Sequence, residues 1–459
     1  MAMASLNAVI VTEKCRIKQA PNSESEKISE TVATNYIPLT FFDTLWLRFP
    51  PTQRIFFYEI DQLSSDFFYN TIIPNLKNSL SLTLQHYPSL AGAVTWHPQT
   101  GKPVIRHAPD DDGVFFSVAE SCANFDSLST HDLKEAKDLH ALLPEFHVSE
   151  TEATVLSVLV TLFPSQGFSI AYCSHHVSMD GKSNAMFLKS WSTICRDGGA
   201  GAHPPEGPEL MPVLERSLIA DPLDLSKIYV DHWMKTTQNK RSLIPMDKKP
   251  ETGLFRRTFR LTPGEIGQIK GKIKFPVSSY TAVCAYVWRC LVKAEEGDIT
   301  KETVYLNINV DCRSRLEPPI PANYFGNCVT YLFAKEKVAS LVGDDGLVLA
   351  ATAVKEAIGR LEKGVVKGAE KWLSEVSSTF RNEKVCGIAA STRFDLYGSD
   401  FGWGRPRMAE LVSIDRNSSF SLCDGRDGND VNIEIGIVLK KVQLEAFASL
   451  FAQGLQPYE

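Results

Sequence analysis

The first half of the chain contains short stretches rich in apolar, β-branched and aromatic residues. Stretches of this kind, bounded by polar residues, Gly or Pro, are typical of β-strands. They occur at residues 9–19, 54–60, 114–120 and 153–163. Leu76, Leu80 and Leu84 instead recur every fourth residue, which places them on one face of a helix that ends at Tyr87-Pro88. We therefore expect strands and helices to be intermixed.

A further strand is predicted from the sequence GFSIAYCSHH, residues 167–176. It follows the strand at 153–163 after a short turn, so we expect the two to pair as a hairpin. Side chains alternate between the two faces of a strand. The alternation puts His176 on the face of Phe168, Ile170, Tyr172 and Ser174, and His175 on the opposite face.

The second half repeats this mixture after a segment dense in Gly and Pro, residues 198–222. Thr262 followed by Pro263 is typical of a helix start. We predict strands at 254–261, 303–313, 419–423 and 431–440, and helices at 262–273, 278–294, near 343–363 and at 441–453. A loop is expected between 363 and the last two strands.

The pattern predicts an α/β protein with two domains of similar size. A chain of 459 residues exceeds the size at which one core usually stops growing. We place an N-terminal domain at 1–200, a crossover linker at 201–222 and a C-terminal domain at 223–459.

Composition excludes several classes of function. Hydrophobic residues make up 44% of the chain and charged residues 22%, as in an ordinary globular protein. The net charge of −6 argues against non-specific binding to nucleic acid or anionic membranes. No apolar run approaches the ~20 residues that span a bilayer, and the first residues do not read as a secretory signal. The ten cysteines include no Cys-x-x-Cys pair, which indicates reduced thiols, a cytoplasmic location and no zinc site.

The stretch HHVSMDG, residues 175–181, lies between the predicted strand and a helix. Adjacent histidines that point in opposite directions do not match a metal-binding pair. His176 is the candidate base, because a side chain at a strand end can project into a cleft. Asp180 could orient His176, cap the helix or pair with a distant arginine, and spacing alone does not separate these roles. No G-x-S-x-G nucleophile motif is present.

The chain resembles the plant BAHD acyl-CoA-dependent acyltransferases along essentially its whole length. The resemblance rests on HHVSMDG (175–181) and on DFGWG (400–404), which matches the second signature of the family. YFGNC (324–328) is similar to the branch that acylates anthocyanin, flavonoid and other phenolic glucosides. The resemblance implies two chloramphenicol-acetyltransferase-like domains, with mixed sheets flanked by helices and a solvent channel between them. It also implies a monomer with no bound cofactor that uses an acyl-CoA as co-substrate.

The resemblance also implies roles for individual residues. His176 would be the general base in a direct transfer, most simply of malonyl from malonyl-CoA to a glucose 6-hydroxyl; a hydroxycinnamoyl donor is the alternative. Asp180 would pair with Arg313. Architectural support is expected from Gly181, Asp400, Gly402, Trp403 and Gly404.

The remaining candidates concern ligand contacts and packing. Oxyanion donors are expected at Ser391 and Thr392, and contacts to CoA or the acyl group at Lys182, Arg256, Arg257, Ser278, Ser279 and Arg393. YFGNC is expected at the channel, and the segment near 399–424 against the N-terminal domain. Two other classes remain open from sequence: a non-catalytic ligand-binding protein of the same fold, and a hydrolase of acyl-CoA or esters.

Overall fold

The computed structural model describes residues 9–21, 34–198, 211–246, 251–295, 303–389, 391–416, 419–426 and 432–456. Its strands are β1 (Val9–Ile17), β2 (Asn35–Pro38), β3 (Thr52–Glu59), β4 (Ala93–Trp96), β5 (Pro103–His107), β6 (Val114–Ser121), β7 (Lys134–Glu135), β8 (Glu152–Thr154), β9 (Leu156–Phe163), β10 (Gly167–Ser174), β11 (Leu254–Leu261), β12 (Thr303–Ile308), β13 (Leu332–Lys337), β14 (Lys384–Ala389), β15 (Met408–Leu411), β16 (Ser419–Asp424) and β17 (Ile433–Lys440).

The α-helices vary from single turns to four turns. They are α1 (Phe41–Thr44), α2 (Ser65–Phe67), α3 (Ile73–His86), α4 (Phe125–Leu128), α5 (Ala136–His140), α6 (Gly181–Arg196), α7 (Leu225–Thr236), α8 (Pro263–Lys272), α9 (Ser279–Ala294), α10 (Val338–Val342), α11 (Gly346–Gly359), α12 (Ala369–Asn382) and α13 (Lys441–Gln453).

Local sequence explains many of these elements. Leu76, Leu80 and Leu84 are buried on one face of α3, as their spacing predicts. Thr262 and Glu265 form a reciprocal capping box at the start of α8, with Pro263 in its first turn. The predicted hairpin is present, because β9 and β10 pair antiparallel along their full length.

The prediction of a loop between residue 363 and the last two strands is wrong. The segment contains α12 and β14, and β14 pairs parallel with β12. The sequence of this segment does have the apolar spacing of a helix: Ala369, Trp372, Leu373 and Val376 lie buried on one face of α12.

The strands form two large sheets and one small one. The first has the order β1-β6-β9-β10-β3-β15, the second β13-β12-β14-β16-β17-β11-β7, and the third β2-β5-β4-β8. The two large sheets exchange strands: β15, from late in the chain, pairs with β3, and β7, from the first half, pairs with β11. The architecture is therefore a two-domain α/β fold in which each large sheet borrows a strand from the other half of the chain.

The segment that joins the halves is partly described. Residues 199–210 of the predicted crossover lie outside the described residues. Beyond them, Val213 forms a bridge with Tyr324, and Ile219 joins the first core. In α7, Tyr229 and Trp233 are buried in that same core, and the Trp233 indole donates to the Thr44 carbonyl at 2.8 Å. The domain limits given above remain a prediction.

Among the described residues, no helix combines the length and the hydropathy needed to cross a bilayer.

Candidate active site

The loop that joins β10 to α6 carries the two histidines. β10 ends at Ser174, two residues earlier than the sequence predicts, and α6 begins at Gly181. A tight turn follows the strand, because the Ser178 N–H and hydroxyl both donate to the His175 carbonyl, at 3.0 and 2.7 Å. This turn reverses the chain between the strand and the helix.

The two imidazoles occupy different surroundings, although both lie in the turn after β10 rather than in the strand itself. His175 is buried, and burial lowers its pKa to about 3. His176 instead lines a cavity of about 1070 Å³ whose walls come from both halves of the chain. Of the two histidines, only His176 can therefore contact a ligand in this cavity.

The His176 ring is held by an aromatic face. It stacks on Trp46 with ring centroids 3.9 Å apart and planes within 7° of each other. Its Nδ1 is shut off from solvent and makes no hydrogen bond with the described residues. The residue's own carbonyl oxygen lies near enough to favour a protonated ring, although the geometry is not that of a hydrogen bond. We assign the proton of the neutral ring to Nδ1 on this basis, which leaves the Nε2 lone pair to act as the base.

Burial sets the charge of His176. It lowers the pKa of the imidazole to about 4, and the backbone carbonyl of His176, Asp180 and Asn327 only partly oppose this effect. His176 is therefore neutral at pH 7, which is the protonation state that a general base requires.

Asp180 faces away from the histidine and holds the loop. Its Oδ2 accepts from Arg313 Nη1 at 2.8 Å and from the Cys328 N–H at 3.0 Å. Its Oδ1 caps α6 by accepting from the Ser183 N–H at 2.9 Å. Two of the three roles left open by spacing, the helix cap and the arginine pair, are thus filled by one carboxylate.

Arg313 connects this loop to YFGNC. Its guanidinium is 1% exposed and also donates to the carbonyls of Tyr324 and Gly326, at 3.0–3.1 Å. Asn327 Nδ2 donates to the His176 carbonyl at 2.9 Å and to Asp43 Oδ1 at 3.0 Å. These contacts fix the loop that carries His176 to residues 313–328.

The expectation that YFGNC lines the channel is wrong. None of residues 324–328 is part of the cavity wall. Gly326 has a φ of 148°, a conformation that L side chains rarely adopt, and a Cβ there would also meet the Arg216 guanidinium, so backbone conformation and packing both explain this glycine.

Gly181 is required for a similar reason. A Cβ at this position would come within 2.7 Å of the Phe394 ring. The backbone there is an ordinary helix start without a positive φ. Close approach by Phe394, rather than freedom for a sharp exit, explains the glycine.

Six of the predicted ligand contacts do line the cavity: Lys182, Ser278, Ser279, Ser391, Thr392 and Arg393. Lys182 is paired with Asp311 at 3.3 Å. Ser278 caps α9 by accepting from the Thr281 N–H at 3.0 Å. Ser391 Oγ accepts from the Arg393 N–H at 3.3 Å, which leaves the hydroxyl hydrogen free to donate to a ligand.

Arg256 and Arg257 do not line the cavity, so the predicted CoA contacts do not fit their positions. Arg256 is 2% exposed, and its guanidinium binds Asp415, Glu410 and the Leu411 carbonyl. Arg257 points to the other face of β11, where its guanidinium lies 5.1 Å from the Phe259 ring.

DFGWG also lies outside the cavity wall. Asp400 Oδ1 accepts from the N–H groups of Gly402 and Gly404, at 2.8 and 2.9 Å, and both glycines have a positive φ. Phe401 packs edge-on against Trp191, with centroids 5.0 Å apart, and Trp403 against Phe168, at 5.8 Å. The contacts of this signature are therefore packing and turn contacts.

The cavity wall is strongly basic. It contains two carboxylates, Asp180 and Asp311, and eight basic side chains besides His176: Arg48, Arg54, Lys182, Arg313, Arg315, Arg381, Arg393 and Arg416. The chain as a whole carries a net charge of −6, so this excess of six cations is a local feature. Such a wall favours an anionic ligand.

Comparison with known proteins assigns the family. A family model described as the Transferase family matches residues 22–453. A BAHD acyltransferase of Arabidopsis thaliana is 35% identical over 445 residues, 94% of this chain and 97% of that protein. The chain belongs to the BAHD acyltransferase family.

Other BAHD relatives act on different acceptors. Phenolic glucoside malonyltransferase 1 of Arabidopsis thaliana is 35% identical over 97% of both chains. Agmatine coumaroyltransferase of Arabidopsis thaliana is also 35% identical, over 90% of this chain and 94% of that protein. Identity at this level does not choose between the donors that these names imply.

Solved structures show the same fold. Vinorine synthase has a TM-score of 0.68 at 21% identity, covering 96% of this chain and 98% of that one. TRI101 of F. sporotrichioides, complexed with Coenzyme A and T-2, has a TM-score of 0.62 at 17% identity, covering 89% of this chain and 96% of that one. The BAHD fold expected from the motifs is confirmed.

Two features of this BAHD site escaped the sequence reasoning. Trp46 lies 130 positions before His176, and no spacing rule predicts that the two rings stack. Arg54 was read only as part of a strand, although its side chain lines the cavity. Among the described residues, no group of three or more His, Cys, Asp or Glu side chains is arranged to hold a metal ion.

Proposed function

We propose that the chain transfers a malonyl group from malonyl-CoA to a sugar hydroxyl, most simply the glucose 6-hydroxyl, of an anthocyanin, flavonoid or other phenolic glucoside. The observation that carries the proposal is a neutral His176 in a cavity whose wall has eight basic side chains and two carboxylates. A CoA thioester with a carboxylated acyl group is polyanionic and matches this wall. Phenolic glucoside malonyltransferase 1, one of the relatives, supports the same substrates.

The chemistry is a direct transfer. His176 Nε2 removes the proton from the acceptor hydroxyl as its oxygen attacks the thioester carbonyl. The tetrahedral intermediate collapses by breaking the C–S bond, and the imidazolium returns the proton to the CoA thiolate. No covalent acyl-enzyme forms, in keeping with the lack of a nucleophile motif.

Two charges develop during this reaction. The imidazolium forms against the face of Trp46, where a cation is favoured by the electron-rich ring. The oxyanion needs a hydrogen-bond donor, and the hydroxyls of Ser391 and Thr392 on the cavity wall are the candidates. Ser278, Ser279, Lys182 and Arg393 are the candidate contacts to CoA and its acyl group.

A hydroxycinnamoyl donor is the second candidate. Phe49, Trp233, Tyr331 and Phe380 give the cavity an aromatic wall on which a cinnamoyl ring could stack. A phenolic aglycone would use the same wall, so this observation does not favour the second donor over the first.

We also propose that the protein works as a monomer in the cytoplasm. The cavity wall is formed by residues of this one chain, and the sequence contains no Cys-x-x-Cys pair, as expected in a reducing compartment.

The test is to incubate the protein with malonyl-CoA or coumaroyl-CoA, with and without a panel of phenolic glucosides. Free thiol and the glucoside mass are then measured. Malonyl-CoA should release thiol only with acceptor, and the glucoside should gain one malonyl group. Thiol release at the same rate with and without the glucoside would indicate a hydrolase. No thiol release with either donor would indicate a binding protein. If the coumaroyl group is transferred faster than the malonyl group, the donor is a hydroxycinnamoyl-CoA rather than malonyl-CoA.

A further inference from the structure

Arg54 is an unusual member of the cavity wall. It lies in β3, opposite Tyr172 of β10 and Leu411 of β15 in the strand register. Residues directly opposite each other in antiparallel strands share a face, so Arg54 and Tyr172 project to the same side of the sheet. Arg54 is only 5% exposed. It is thus a cation deep in the wall rather than one at its rim.

The Arg54 guanidinium forms no ion pair or hydrogen bond with the described residues, and its electrostatic contacts are with the side chains of Tyr172 and Cys423. The hydroxyl of Tyr172 is committed to Asn184 Oδ1, to which it donates at 2.5 Å. Neither carboxylate of the wall is available, because Asp180 and Asp311 are both bound to Arg313. Among the described residues the guanidinium therefore has no hydrogen-bond or ion-pair partner, and an anionic group bound in the cavity can supply one.

The other basic residues of the wall differ from Arg54. Arg313 is equally buried, but its guanidinium is bound to carboxylates, carbonyls and the Ser183 hydroxyl. The remaining six are exposed or partly exposed, where water solvates them. Burying a charge without a partner is costly. A buried and unpartnered arginine in a ligand cavity is therefore suited to receive an anionic group of the ligand.

We propose that Arg54 binds the free carboxylate of the donor's acyl group and so selects a dicarboxylic acyl-CoA over a neutral one. The proposal rests on the proposed malonyl transfer and adds the residue that recognises the donor. A guanidinium presents two parallel N–H groups to a carboxylate, and this bidentate geometry is available to Arg but not to Lys. The more exposed cations of the wall are the candidates for the phosphates of CoA.

The experiment compares donor binding without any acceptor. Affinities for malonyl-CoA and acetyl-CoA are measured by calorimetry for the wild type, Arg54→Gln, Arg54→Lys and the control Arg381→Gln, which removes an exposed cation of the same wall. Arg54→Gln should weaken the binding of malonyl-CoA about 10- to 100-fold, the range expected for hydrogen bonds between charged groups. Acetyl-CoA, which lacks the carboxylate, should be affected far less. Arg54→Lys should fall between the wild type and Arg54→Gln, and Arg381→Gln should change both donors equally.

The proposal is overturned if Arg54→Gln weakens both donors equally, which would indicate a phosphate contact or a packing role. It is also overturned if both affinities are unchanged. If Arg54→Gln does not fold, Arg54→Lys provides the same comparison of donors. Failure of the proposed function is a separate result: the wild type would then transfer no acyl group to a glucoside, whatever the ratio of donor affinities.

Discussion

At the scale of single residues, the proposed chemistry depends on His176, an imidazole with a lowered pKa. Many general bases are oriented by a carboxylate that accepts from the second ring nitrogen. Here Asp180 is turned away, and the ring is fixed by stacking on Trp46. The stacked ring keeps its position without a counter-charge, and burial keeps it neutral.

This arrangement predicts an unusual pH dependence. Because the pKa of His176 is lowered from 6.5 to about 4, kcat/KM should stay level from pH 8 to about 5 and decline below that. Initial rates across this range, fitted to a single ionisation, give the apparent value. A half-maximal rate near pH 6.5 would contradict the account.

Low pH also lowers the stability of the folded protein, so folding must be verified at each pH where a rate is measured. Both His175 and His176 have a pKa lowered in the folded state. Between their unfolded value of 6.5 and about 4, the unfolded chain binds protons that the folded chain does not. Stability therefore falls as pH decreases through this window, by up to about 2.7 kcal/mol per pH unit for two protons. Circular dichroism at each pH separates this loss from the titration of the base.

At the scale of elements, the loop that carries His176 is held by one buried carboxylate, that of Asp180. Asp180 joins the start of α6 to Arg313 and to the Cys328 backbone. Asn327, in the same segment as Cys328, holds the His176 carbonyl. The loop is thus fixed at its start by Asn327 and at its end by Asp180.

Asp180→Asn should therefore act mainly on stability. It leaves Arg313 buried beside a neutral amide, and breaking a buried pair in this way costs about 3–5 kcal/mol. Asp311→Asn is the matched control, since Asp311 contacts the same arginine but its side chain is 41% exposed. Its cost should be about 1 kcal/mol or less. Urea unfolding of both variants makes the comparison. A stable Asp180→Asn protein without activity would show that Asp180 acts in catalysis instead.

Local elements were the most predictable from sequence. The strand that ends near His176 and the capped helix α8 follow from patterns within ten residues. Whether Asp180 caps the helix, pairs with an arginine or orients His176 does not depend on the neighbouring sequence. It depends on Arg313, 133 positions later, and only the family resemblance pointed to that residue. The same limit explains why Trp46 and Arg54 were missed and why Arg256 was misread as a ligand contact.

At the scale of the whole molecule, the two halves are joined by exchanged strands and a buried charge cluster. Arg256 of β11 binds Glu410 of β15 and Asp415, and Lys134 of β7 also binds Glu410, at 3.2 Å. His140 Nε2 lies 2.8 Å from Asp415. The cluster therefore ties both exchanged segments to one arginine. No local pattern predicts it, because β7 and β15 are two and four residues long.

Arg256→Ala should destabilise the whole protein. It leaves Glu410 and Asp415 buried with fewer partners, at a cost of about 3–5 kcal/mol. Arg257→Ala, one residue away on the same strand and with an exposed side chain, is the control and should cost less than about 1 kcal/mol. Thermal unfolding followed by circular dichroism compares them. Equal unfolding temperatures for the two variants would show that the cluster does not hold the halves together.

The central claim is that His176 is the general base for acyl transfer from an acyl-CoA to a glucoside. The most direct measurement is kcat/KM of His176→Ala with malonyl-CoA and a glucoside that the wild type accepts, on protein whose circular dichroism matches the wild type. We predict a fall of about 10²- to 10⁴-fold, the contribution of a general base. A folded His176→Ala protein that retains the wild-type rate would contradict the account.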